Sequence, residues 1–133
     1  MTPSHLGPFR AAGTITSGLY LERVSSGGLE KVQILSADLT EAGGELPVGF
    51  ANEDRTGTTD VRPVAIAPRG EPVLAISNAS WGRTVKWLTA KAGGKLAASA
   101  SGDIIVALNT FGEAPGAGDV VVRVEECSPW IRP

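Results

Sequence analysis

Val48-Gly49-Phe50-Ala51-Asn52 leads through a Gly/Thr loop to Asp60-Val61-Arg62-Pro63-Val64, and the phrase returns later in the chain. There Ile105-Val106-Ala107-Leu108-Asn109 leads through Gly112, Pro115, Gly116 and Gly118 to Asp119-Val120-Val121-Val122. Each copy is a short apolar run, a turn-rich connection, an aspartate and a β-branched run, which is the pattern of paired strands. The distance between the two asparagines nearly equals that between the two aspartates, so the expectation is a duplicated β-unit. Two unrelated hairpins with shared turn chemistry are the alternative, because few residue types suit tight turns.

Working outward, residues 61–66 meet Ala67-Pro68-Arg69-Gly70, with proline second and glycine fourth, a type I turn signature before Val73. That predicts a hairpin, with Pro63 confining its first strand to a sheet edge because proline has no N–H for a ladder. Residues 83–89 read as a strand with Val85 and Trp87 on one face, and Gly93-Gly94 offers a two-residue reversal before Lys95-Leu96. Residues 104–108 are apolar on both faces and are expected at the centre of a sheet. Val120, Val122 and Val124 face one way and Val121, Arg123 and Glu125 the other, so one side of this strand meets solvent or a partner. Residues 14–24 alternate well enough for a strand. Residues 29–39 fit either a strand or one face of a short helix, with the balance towards strand.

The ends differ from the middle. Residues 1–12 hold Pro3, Gly7 and Pro8 with apolar residues out of period, which reads as an extended N-terminal arm outside the core. The β-domain is expected over residues 13–126, with residues 127–133 as a C-terminal tail. With 133 residues, 17 of them glycine and 9 proline, the chain forms one all-β domain: a small barrel or a sandwich of short strands. No metal or disulfide is needed to staple a core of that size, and no cofactor is expected.

Charge and composition exclude several functions. The net charge is −2 and the 12 lysines and arginines are scattered, so direct nucleic-acid binding is not expected. No apolar run reaches the length of a membrane span, and the first residues lack the apolar segment of a signal peptide. A single cysteine, Cys127, fits synthesis in a reducing cytoplasm. His5 is the only histidine, so neither a nucleophile–base pair nor a transition-metal site is expected, and no catalytic residue is assigned. Glu125 and Glu126 are adjacent on a strand and face opposite sides, which rules them out as a carboxylate pair.

The segments Gly94-Lys95-Leu96, Ser101-Gly102-Asp103-Ile104-Ile105-Val106-Ala107-Leu108 and Ala117-Gly118-Asp119-Val120-Val121-Val122-Arg123-Val124 resemble the C-terminal half of the decoration, or cement, proteins of tailed-phage capsids. Val48-Gly49-Phe50-Ala51 resembles an earlier strand of the same family. The likeness covers about residues 46–124; Asn109-Thr110-Phe111 and the stretch from Ser80 to Leu88 depart from it. The resemblance implies a β-barrel or β-tulip domain on the outer surface of the virion. There it would bind the major capsid protein, usually as a homotrimer, and stabilise the DNA-filled head.

Candidate contacts with the shell or a sister copy are Leu6, Phe9 and Arg10 in the arm and Trp81, Trp130 and Ile131, since tryptophan and arginine are enriched at interface centres. A second reading is a β-sandwich carbohydrate- or protein-binding module, with Trp81, Trp87 and Trp130 as a flat aromatic platform. Otherwise Trp87 is expected in the core beside Val85.

Overall fold

Short alternating runs cut by glycines fold into strands because each run is long enough to pair but too short to bury a helix. The computed structural model describes residues 9–24 and 31–133, and these form β1 (Arg10–Ala11), β2 (Tyr20–Arg23), β3 (Lys31–Ile34), β4 (Pro47–Phe50), β5 (Pro72–Ser77), β6 (Trp87–Lys91), β7 (Lys95–Ala98), β8 (Ile104–Leu108) and β9 (Val120–Ile131). The only helical piece among the described residues is a 3-10 turn at Gly57–Thr59. The protein is all-β, in two layers. A four-stranded sheet has the order β1-β3-β2-β4, and a closed barrel has the order β5-β7-β6-β8-β9.

The barrel closes through one parallel bridge between Ser77 of β5 and Leu96 of β7. β6 and β7 form a hairpin through Gly93-Gly94, but the connection between the paired Lys91 and Lys95 has three residues, Ala92-Gly93-Gly94, rather than the two expected; both glycines have positive φ, 92° and 79°, which the tight reversal requires. β8 lies between β6 and β9, as its apolar faces predicted. β9 pairs with β5 over its first half and with β8 over its second. The β8 pairing shifts register between Ile105 and Ala107, and the extra residues on β9 include Pro129, which therefore occupies a bulge rather than a regular ladder position.

One core cluster fills the barrel and reaches into the sheet, joining Leu88, Ala90, Leu96, Val106, Val122 and Val124 to Tyr20, Leu35, Leu39 and Phe50. Tyr20 and Phe50 are cross-strand partners whose rings meet edge to face at 4.9 Å. A second cluster covers the far side of the sheet and contains Phe9, Ile15, Leu21, Val32, Val48 and Val64. The buried Arg55 ties the loop beneath it, donating to the carbonyls of Pro63 and Asp54 and to the Glu53 carboxylate.

Several expectations are corrected. Residues 61–66 do not pair with β5. Ile66 bridges Ala51 instead, flanked by bonds from the Asn52 N–H to the Ala65 carbonyl and from the Ala67 N–H to the Phe50 carbonyl. Residues 65–67, just past the first copy of the repeated phrase, therefore return against Phe50–Asn52, and its Asp60–Val64 run forms no strand. In the second, β8 pairs with β9 only from Glu125 onward, while Val120, Val121 and Val122 pair with β5. The two phrases share turn chemistry but not strand pairing.

The arm does not extend to residue 12. Phe9 is 2% exposed in the second cluster, and β1 pairs in parallel with β3. Nor is there a separate tail after residue 126, because β9 continues to Ile131 and the N–H of Arg132 still donates to the Asp103 carbonyl.

Candidate functional site

The exposed aromatic residues concentrate where β6 begins and β9 ends. Trp87 and Trp130 are both exposed, and their rings stand 5.4 Å apart at 86°. The guanidinium of Arg132 lies over the Trp87 ring, 5.1 Å from its centre, and donates to the carbonyl and hydroxyl of Ser99. Ser99 in turn donates from both its N–H and its hydroxyl to the Trp87 carbonyl. The cluster is thus held at fixed geometry by bonds among its own members. Ile131, the next residue on β9, is 47% exposed.

On the Trp87 side lies a groove of about 350 Å³, also lined by Lys86, Leu108, Asn109 and Thr110. The Asn109 amide is committed to structure. It donates to the carbonyls of Val85 and Glu113 and accepts from the Glu113 N–H. Along the outer face of β5 and β9, Leu74 and Val121 are exposed, and Arg123 covers the Phe111 ring at 4.2 Å.

The six sequence-derived contact candidates divide. Trp130 belongs to this surface, and Ile131 beside it on β9 is exposed. Arg10 is exposed on β1, in the four-stranded sheet rather than the barrel, beside a groove lined by Lys31, Thr58 and Asp60. Phe9 is core, for the reason given above, and Trp81 is also buried: its indole N–H donates to the Glu113 carbonyl at 3.1 Å. Leu6 lies outside the described residues.

Trp87 replaces Trp81 at the surface. The strand starts at Trp87 rather than Arg83, and its inward residues are Leu88 and Ala90, so Val85 packs on the core from a preceding turn. The register of Leu88, Ala90 and Lys91 carried that signal. The three tryptophans form no flat platform, because one is buried and the exposed pair is perpendicular.

A second polar feature lies inside. Glu126 shares the inward parity of Val122 and Val124 and has zero exposure at the joint between sheet and barrel. Burial pushes its carboxyl up to about 8; the Arg69 guanidinium and the Phe50 N–H pull it back only partly. Burial also pushes up the half-buried Cys127 thiol, helped by the Glu126 charge, which makes it a poor nucleophile at neutral pH. His5 lies outside the described residues. Among the described residues no three of His, Cys, Asp and Glu come together as a metal-holding group, and no helix is long and apolar enough to cross a membrane.

Comparison with protein-family models, with curated proteins and with solved structures gave no match.

Proposed function

We propose that this chain is a capsid decoration protein of a tailed phage, which binds the outer surface of the major capsid protein shell as a homotrimer and stabilises the DNA-filled head. Two things support the reading: the resemblance over residues 46–124, and an all-β fold of the kind that resemblance implies. The observation that carries it furthest is the rigid Trp87–Trp130–Arg132 surface. Exposed tryptophan is costly unless covered, and Trp with Arg are the residue types that dominate binding energy at interface centres. The cation over Trp87 favours a shell surface that offers carboxylates around an apolar anchor.

Attachment of this kind works through contact area. A stable interface of about 1,600 Å² per contact spans micromolar to picomolar strength, and repetition around a symmetric shell adds avidity. Pressure from packaged DNA then has more contacts to break before subunits separate.

The test is co-sedimentation of the purified chain with DNA-filled heads that lack it, using wild type, Trp130→Ala and Trp87→Ala. Saturable binding of the wild type, weakened at least about tenfold in either variant, is the expected result; about 1.4 kcal/mol corresponds to that loss. A wild type that stays in the supernatant at every concentration would remove the proposal.

A further inference from the structure

Two like charges face each other at the edge of the four-stranded sheet. Arg10 of β1 and Lys31 of β3 are directly paired in the parallel register, which puts their side chains on one face. Cations opposed at paired positions repel and destabilise a sheet unless an anion screens them. Among the described residues, neither side chain enters a hydrogen bond or an ion pair.

The pair lines a groove of about 370 Å³, shared with Ala11, Thr58 and Asp60. On the outer side of β1 the Val64 N–H donates to the Phe9 carbonyl at 2.9 Å, and the 3-10 turn at Gly57–Thr59 comes up against the strand beyond that bond.

Asp60 is the acidic residue of the groove, and its carboxylate is already taken. The Arg62 guanidinium donates to both of its oxygens, at 2.8 and 2.6 Å, and the Thr56 N–H donates to Oδ2 at 3.1 Å. Asp60 and Arg62 are neutral as a unit, so the groove keeps the two positive charges of Arg10 and Lys31.

We propose that this groove docks an acidic segment of a protein partner, with one carboxylate held between Arg10 and Lys31. A guanidinium grips a carboxylate through two parallel N–H bonds and a lysine adds a point charge, so together they turn a repulsive pair into a receptor. The groove is larger than a lone oxyanion fills, and the aliphatic stems of Arg10 and Lys31 suit a ligand that carries methylenes below its charge. The site belongs to the sheet and stands whatever the barrel surface of Trp87 and Trp130 binds.

The experiment is an NMR titration of the full chain at low ionic strength with a blocked tetraglutamate peptide, followed at the amide signals of Arg10, Ala11, Lys31, Thr58 and Asp60. Blocked tetraglutamine and inorganic phosphate are separate arms. The expected result is saturable shifts of these signals with tetraglutamate, at a Kd at least about tenfold lower than for either control and raised at least about tenfold in Arg10→Gln and in Lys31→Gln. Without peptide, Lys31→Gln should unfold at no lower temperature than the wild type, because it relieves the repulsion. Absence of saturation, equal affinity for tetraglutamine, or phosphate binding as tightly as tetraglutamate would overturn the proposal. So would shifts centred on Lys86 and Arg132 instead, or a Lys31→Gln variant that is less stable than the wild type.

Discussion

The N–H of Val64 donates to the carbonyl of Phe9 at 2.9 Å, and that bond fastens the N-terminal segment across the outer face of the sheet. The Phe9 ring is buried in the cluster with Leu21, Val32 and Val48, so it supports the fold rather than a contact with another molecule. Phe9→Ala should lower unfolding stability by about 3–5 kcal/mol, the usual cost of emptying a phenylalanine site. Denaturant titration measures this. A loss below about 1 kcal/mol would mean the ring is not part of the core.

Gly94 joins the two layers. Its carbonyl accepts from the Tyr20 N–H at 2.8 Å, its φ is 79°, and a Cβ there would lie 2.7 Å from the Tyr20 carbonyl oxygen. Backbone cannot yield as a side chain can, so Gly94→Ala should cost about 2 kcal/mol or more, from strain and overlap together. Gly70→Ala is the control. It shares the positive φ at 77° but has nothing within 4 Å of the added atom, and it should cost distinctly less by the same titration.

Legibility in the sequence followed how local each signal is. The Gly93-Gly94 reversal, the apolar centre of β8 and the alternation of Val120, Val122 and Val124 depend on neighbours a few residues apart, and each appears where expected, with Ala92 added to the reversal. The pairing of residues 61–66 was misread because a Pro-x-Gly turn specifies a reversal but not which strand receives the chain; Ala51, far back in the sequence, outcompetes β5. Phe9 looked detached because β1 is only two residues long, too short for a period, and its burial depends on residues distant in sequence, among them Leu21, Val32, Val48 and Val64.

At the candidate site the tryptophans were visible but their faces were not, since one residue of register at the start of β6 decides whether Trp87 points in or out. Glu126 was readable from its parity with Val124. Its adjacency to Glu125 drew attention to pairing between carboxylates rather than to burial of one.

Glu126 also sets a pH dependence of folding. Its carboxyl is near 8 in the fold against an ordinary 4.5, so between those values the folded chain holds a proton that the unfolded chain has released. Stability from this group is therefore complete below pH 4.5 and declines as pH rises to about 8, at up to about 1.4 kcal/mol per unit. Denaturant midpoints measured from pH 5 to 9 should fall in the wild type and be flatter in Glu126→Gln. Equal slopes in the two proteins would show that Glu126 ionises in place.

The Cys127 thiol should react slowly. Burial and the neighbouring Glu126 charge both disfavour its thiolate. At pH 8, alkylation by iodoacetamide should be at least about tenfold slower in the native chain than in the denaturant-unfolded chain, because the thiolate is the reacting form. Equal rates would place the sulfur in open solvent with an ordinary pKa.

The claim at the centre of this account is that the domain sits on the outside of a capsid with its Trp87–Trp130–Arg132 surface against the shell. A reconstruction of heads saturated with the purified chain measures this most directly. The account predicts trimeric density on the outer surface, fitted by the barrel with Trp87 and Trp130 covered by the major capsid protein, and none on heads treated with the Trp87→Ala/Trp130→Ala double variant. Undecorated heads after saturation with wild type, or decorated heads in which both rings face solvent, would contradict it.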